Sequence, residues 1–248
     1  MRCKVLILST DLSGGGAEYV ARLMSDRIEQ SICILFENKK NISPEKSLLH
    51  VLPGSKIDQR LFTLARNILR LTYIQIIKVA YRPLITISHL EGPNIANLLS
   101  TGGGRRCIFI HNKLSLNYDG SQRFDRLKLF LAKILYQKAN LVVGVSKEIC
   151  REMVEDYGVN QERVRYLANP IDTKKITELA QERFNDDRDC IFGAHYVVNV
   201  ANFIEQKNHE FLIEVYHHVI KSQTNLKLVL LGDGKKKHHI KNVCIEKG

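Results

Sequence analysis

The segment Ser13-Gly14-Gly15-Gly16-Ala17-Glu18 lies between a short apolar run and the start of a helical pattern, a place where a chain can hold an anion. Glycine lets the backbone approach a ligand closely, and the free N–H groups at a helix start attract phosphate or sugar oxygens. A plain tight turn would carry the same residues, so the turn alone leaves both readings open. Two common phosphate-binding motifs do not fit it. Walker A needs Gly-Lys followed by Ser or Thr, and the dinucleotide fingerprint needs a third glycine where Tyr19 stands. No pair of carboxylates stands out as general acid and base, and Glu18 reads as a residue that fixes loop to helix.

Other candidate groups are single. His111 closes an apolar run in Ile110-His111-Asn112, a position where a lone histidine is by itself more often structural. Gly232-Asp233-Gly234 is a turn signal after another apolar run. The six cysteines, Cys3, Cys33, Cys107, Cys150, Cys190 and Cys244, lie far apart with no CxxC pair. That spacing speaks against a zinc ribbon or a disulfide framework and for buried free thiols in a reducing compartment.

Seven short apolar runs must position these groups: Val5 to Leu8, Ile32 to Phe36, Leu84 to Ile87, Cys107 to Ile110, Leu141 to Val145, Tyr196 to Val200 and Leu226 to Leu231. Runs of this length, rich in Val and Ile, suit strands buried on both faces. Helical spacing separates them, at Val20, Leu23, Met24 and Ile28, and over Arg123 to Lys138, Glu148 to Tyr157 and Glu210 to Ile220. Strands alternating with helices predict an α/β fold with parallel sheets.

A boundary is expected at Asn169-Pro170-Ile171-Asp172, because proline lacks an N–H donor and its predecessor avoids helical geometry. We read residues 1–170 as an N-terminal domain, 171–190 as an interdomain linker, and 191–248 as part of a C-terminal domain. That last part amounts to about one βαβ unit, fewer elements than a doubly wound domain usually has.

The chain has 248 residues, 44% hydrophobic and 25% charged, as in ordinary globular proteins, and a formal charge of +11. Such charge attracts phosphates, nucleic acid or anionic membrane. The dense run Lys235-Lys236-Lys237 reads as a solvated helix face, and nothing resembles a zinc finger or an RNP strand, so no specific nucleic-acid partner is expected. Residues Ile57 to Ala80 place Leu61, Leu64, Ile68, Leu71, Ile74 and Ile77 on one side, with Arg60, Arg66, Arg70 and Lys78 elsewhere. The favoured reading is a helix covering the sheet, and the second is one resting on anionic lipid. Val5 to Leu8 is too short for a signal-peptide core, so a cytoplasmic protein is expected, peripheral at the inner membrane face under the second reading.

Six pieces in order carry a resemblance: Gly15-Gly16-Ala17-Glu18, Val145-Ser146-Lys147, Tyr157-Gly158-Val159, Asn169-Pro170-Ile171-Asp172, Val200 to Lys207, and Leu231-Gly232-Asp233-Gly234. Together they resemble the retaining glycosyltransferases of family 4 over nearly the entire chain. The resemblance implies the GT-B architecture, two Rossmann-like doubly wound parallel-sheet domains, the N-terminal one on the acceptor side and the C-terminal one, incomplete here, binding the nucleotide sugar. It places Gly15 and Gly16 beside the donor phosphates or the acceptor, and His111 against the donor sugar. The family's Gly-Arg-Leu-x3-Lys becomes Ala201-Asn202-Phe203-Ile204-Glu205-Gln206-Lys207. Lys207 is kept to neutralise the leaving diphosphate, while Asn202 replaces the arginine and carries no charge. Gly232 takes a minor positioning role.

The resemblance thus implies transfer of a sugar, with retention, from a nucleotide-diphosphate sugar to a glycan or lipid-linked acceptor, as in lipopolysaccharide and other polysaccharide biosynthesis. Neither metal nor cofactor is expected, since protein cations and helix N-termini offset the charge. The family's Glu-x7-Glu motif would fall beyond Gly248, so a C-terminally truncated chain is expected. An alternative is an inactive fragment acting as a binding or partner subunit, with a separately encoded C-terminal half as its partner. Sugar-nucleotide epimerases share the layout, and the motif series argues against them.

Overall fold

The computed structural model describes residues 3–52, 63–117, 123–182, 195–223 and 225–247. The chain divides into two compact units, Met1–Ile171 and Asp172–Gly248. In the first, seven strands form one parallel sheet: β1 (Val5–Ser9), β2 (Ser31–Leu35), β3 (Leu48–Val51), β4 (Ile85–His89), β5 (Arg105–Ile110), β6 (Leu141–Gly144) and β7 (Val164–Tyr166). Their order across the sheet is β3-β2-β1-β4-β5-β6-β7. The chain reverses direction between β1 and β4, and open sheets of this kind bind ligands outside the carboxyl ends of the strands at that switch.

The helices are α1 (Gly16–Arg27), α2 (Thr63–Tyr81), α3 (Glu91–Leu99), α4 (Leu114–Asn117), α5 (Arg123–Leu135) and α6 (Lys147–Glu155). Strand alternation divides the core between the two sheet faces. Leu6, Leu8, Ile32 and Ile34 pack with Ile74, Ile77 and Ala96 of α2 and α3, and Ile108 and Ile110 pack with Leu135, Ile149 and Met153. On the other face Cys33 and Leu35 meet Ala21, and Cys107, Phe109, Ile85 and Ile87 meet Met24 of α1. Each fully buried Leu or Ile contributes about 1.5–3 kcal/mol.

The expected α/β class holds, and all seven expected strands are present. β3 and β7, at the two sheet edges, were not foreseen. The expected core stripe of α2 differs at Ile68, which is 56% exposed together with Leu69, Ile76 and Val79, while Ile74 and Ile77 are buried. Leu61 and Arg60 lie outside the described residues, and so does Cys190. The other five cysteines are free thiols, Cys3, Cys33 and Cys107 buried as expected and Cys244 exposed against expectation.

The second unit holds the parallel pair β8 (His195–Val200) and β9 (Leu226–Leu231), with α7 (Thr173–Ala180), α8 (His209–Val219) and α9 (Lys237–Lys247). Phe203, Ile213 and Ile240 form its core with Leu228 and Leu230. The segment read as a linker carries α7, whose first turn is capped by Asp172 Oδ1 accepting from the Lys175 N–H at 3.0 Å. Of the basic run, Lys237 opens α9, and Lys236 is not simply solvated: its Nζ is bound by Glu205 and Glu210. No described helix is long and apolar enough to cross a membrane.

Candidate functional site

Parallel strands bring every β-to-helix loop of the first unit to one edge of the sheet. The loop after β1 is organised by Asp11, a buried carboxylate. Its Oδ1 accepts from the Leu12 N–H at 2.7 Å and its Oδ2 from the Ser13 hydroxyl at 2.7 Å, while the Ser9 hydroxyl donates to the Asp11 carbonyl. This holds Gly14, Gly15 and Gly16 exposed at the start of α1. Gly15 is the N-cap residue, and no side chain caps the helix there. The first-turn N–H groups of α1 are thus left for an outside acceptor.

Space confirms the opening. A side chain added at Gly16 would meet only Asn169 Nδ2 at 3.6 Å, and one at Gly15 only the Glu18 carboxylate, Oε2 at 2.9 Å. Both are flexible side-chain ends, so no backbone contact requires glycine at either position. Gly14, at φ +117°, adopts a conformation that favours glycine on its own account.

After β4 and β5 come His89 and His111. His89 is fully buried, and its Nδ1 lies 3.0 Å from Nε2 of His111. Burial, with His111 beside it, pushes His89 down to about 3; burial pushes His111 down to about 4. Both rings are therefore neutral at pH 7. Leu90, which follows His89 and caps α3, stands at φ +71°, a strained conformation for a branched side chain. The segment beyond His111 is fixed by Glu152, whose buried carboxylate accepts from the Leu114 and Ser115 N–H groups at 3.1 and 2.9 Å. After β6, Ser146 caps α6 by accepting from the Ile149 N–H.

In the second unit the loops after β8 and β9 are laced together. The Ala201 N–H donates to the Leu231 carbonyl, the Phe203 N–H to the Asp233 carbonyl, and the Lys236 N–H to the Phe203 carbonyl. Asn202 and Lys207 are exposed on these loops, Lys207 ending the single turn Glu205–Lys207. Phe203 is buried, stacked on His209 at 4.6 Å. Lys207 makes no ion pair among the described residues, whereas Lys236 is held by two carboxylates, Glu205 and Glu210.

The structure therefore brings Gly15, Gly16 and His111 to one edge of the first sheet, and Asn202, Lys207 and Gly232 to the strand-end loops of the second unit. Gly232 has a structural reason to be glycine, since a side chain there would fall 1.9 Å from the Ala201 carbonyl oxygen. His89 was missed by motif reading. Its signal was register: Ile85, Ile87 and His89 share a strand face, and His89 pairs with Phe109, two residues before His111.

Comparison with known proteins places this geometry. The profile of Glycosyltransferase Family 4 matches residues 14–175. The chain is 25% identical, over 93% of its length, to the N-acetylgalactosamine-N,N'-diacetylbacillosaminyl-diphospho-undecaprenol 4-alpha-N-acetylgalactosaminyltransferase of Campylobacter jejuni, and it spans 63% of that protein. Among solved structures, Anabaena Alr3699/HepE in complex with UDP and glucose matches 99% of the chain with a TM-score of 0.69 at 16% identity, the chain spanning 65% of it. A putative UDP-N-acetylglucosamine 2-epimerase of Listeria monocytogenes matches 99% of the chain with a TM-score of 0.57 at 12% identity, and the chain spans 66% of it. These structural likenesses share the GT-B fold expected from the sequence, and a fold common to a transferase and an epimerase does not choose the chemistry.

Proposed function

The chain belongs to Glycosyltransferase Family 4, and from that membership we propose that the protein moves a sugar from a nucleotide-diphosphate sugar to a hydroxyl of a glycan or lipid-linked saccharide, with retention at the anomeric carbon. One observation carries the reading: an uncapped helix start with exposed glycines stands at the β1–β4 switch point, two strands from His111. Free N–H groups there suit a phosphate or sugar oxygen, and His111 serves the donor sugar. Lys207, exposed and without an ion pair among the described residues, is the cation for the departing diphosphate. Asn202 donates a hydrogen bond where relatives place arginine. In this reading Lys207 offsets the developing charge without a metal, and the leaving phosphate takes the proton of the acceptor hydroxyl.

The lipid-linked acceptor is supported by the Campylobacter relative, which is named for such a substrate. Peripheral contact with the inner membrane face is supported by Ile68, Leu69, Ile76 and Val79 of α2 and by Leu127, Phe130 and Ile134 of α5, all exposed. α2 carries no acidic residue, and α5 carries Asp125 against the half-buried or exposed Arg66, Arg126, Lys128 and Lys133 of the two helices. Such faces suit anionic lipid.

The test is incubation of the purified protein with UDP-sugars and an undecaprenyl-diphosphate-linked saccharide, reading UDP release and, by NMR, the configuration of the new bond. Transfer with retention is expected. Epimerised UDP-sugar formed without acceptor, or nucleotide that binds nowhere near Gly15 and Gly16, would overturn the reading.

A second reading, a partner subunit, is favoured by β8, where Tyr196, Val197, Val198 and Val200 are all exposed. Apolar strand surface of this kind calls for further protein over it. A separately encoded C-terminal half would supply it. If transfer appears only when the product of an adjacent gene is added, this reading replaces the first.

A further inference from the structure

His89 has no place in the motifs that led to the site, yet it is bonded to the histidine that does. The two rings and Phe109 form a three-ring cluster at the ends of β4 and β5. His89 lies 4.8 Å from Phe109 between centroids, and Phe109 stacks at 6.1 Å on His111. The remaining ring nitrogens, His89 Nε2 and His111 Nδ1, are buried and have no hydrogen-bond partner among the described residues. A buried nitrogen without a partner is uncommon in native proteins and calls for an explanation.

The bond restricts what each ring can be. Of two neutral imidazoles sharing one hydrogen bond, one donates and the other accepts. If the Nδ1–H of His89 donates, His111 keeps its own proton on Nδ1 and offers a donor there. If the Nε2–H of His111 donates instead, its Nδ1 is a lone pair and offers an acceptor. In both cases the Nε2 of His111 is engaged, and the ring cannot flip without breaking the bond.

We propose that His89 is a positioning residue for sugar transfer: its bond to Nε2 fixes the orientation of the His111 ring and ties its tautomer to that of His89, reserving Nδ1 of His111 for a sugar hydroxyl or phosphate oxygen. The inference rests on the transferase reading above. A ligand oxygen at that nitrogen would supply the partner the unliganded ring lacks. The strained Leu90 next to His89 shows that the backbone here is held against local preference by its surroundings.

The experiment is a double-mutant cycle with a spectroscopic control. His89→Leu should lower kcat by about tenfold or more, with KM changed less than twofold. His89→Asn, which keeps a hydrogen-bonding atom at the position of Nδ1, should recover most of the loss. In the His111→Ala background, His89→Leu should cost no further activity. Additive losses, or Asn and Leu behaving alike, would overturn the proposal. The control is ¹⁵N NMR of the histidine side chains in the unsubstituted protein at pH 7. One fixed neutral tautomer for His111 is expected, and rapid averaging between tautomers would overturn the proposal even where His89→Leu fails to fold. This readout needs no turnover, so it stands apart from failure of the transferase reading itself.

Discussion

Glycine recurs in both units at the turn that follows a strand, but for different reasons. At Gly15 and Gly16, behind β1, the surrounding space is open apart from two movable side-chain ends. At Gly232 and Gly234, behind β9, added side chains would run into the backbone of Ala201 and Phe203 at 1.9 and 2.6 Å. No backbone contact requires glycine at the first pair, and the proposed transferase reading gives a ligand as its reason. The second pair lets two loops pass close enough to exchange the backbone bonds of Phe203 and Lys236. Similar turns read from sequence alone thus separate into one that leaves room for an outside group and one that joins its own chain.

The sharpest way to break this contrast uses Lys207, which sits on the laced loops of the second unit but is exposed. Lys207→Met should leave the melting temperature unchanged and lower kcat by about 10²- to 10³-fold, the range for losing one preorganised charge-stabilising group. Steady-state kinetics and thermal melts on the same preparations check this. A drop below threefold would remove Lys207 from the reaction.

Next comes Gly232→Ala, expected to destabilise the second unit by about 1–3 kcal/mol through backbone overlap, in denaturant melts. Its counterpart Gly16→Ala should be neutral to stability, because Gly16 begins a helix where alanine is well tolerated. It should still lower kcat/KM about tenfold, or about 1.4 kcal/mol, if a ligand uses the space. Should Gly16→Ala leave both unchanged, the β1 turn is only a turn.

The same contrast explains what the sequence could reveal. Strands buried on both faces announce themselves as apolar runs, as Cys107 to Ile110 did. The edge strands β3 and β7 have four and three residues, and in β7 only Val164 is buried, so neither leaves a run. α3 hid behind Gly92 and Pro93, which are tolerated because they fall in its first turn. α7 is exposed along its whole length, and its apolar positions, Ile176, Leu179 and Ala180, make a stripe of only about one turn. The glycine turn was legible because its composition is unusual. His89 was not, because its role comes from register with β5, and pairing between strands leaves no mark in local sequence.

The smallest effect belongs to the opposite end of the first sheet, far from either turn in function but inside the same core. Lys78 is 1% exposed, and its ammonium donates to the carbonyl and the side-chain oxygen of Asn97 at 3.0 and 2.9 Å. Burial, then the nearby Arg106 charge, pushes its pKa down to about 7 from an ordinary 10.5. From about pH 7 upward the unfolded chain therefore holds a proton that the folded chain has released, and stability rises with pH. The slope from one such group is at most about 1.4 kcal/mol per pH unit. Urea melts at pH 7.0 and 8.0, where unfolded thiols of pKa about 8.5 are still mostly protonated, should show stability rising by up to about 1 kcal/mol. Lys78→Met should remove most of that rise, leaving the smaller part contributed by the buried, neutral His89 and His111, and should leave the dependence of kcat on the Gly16 and Lys207 substitutions unchanged. A slope as steep in Lys78→Met as in the parent protein would mean that the buried amine keeps its proton in the folded protein, held by the two Asn97 oxygens against the cost of burial.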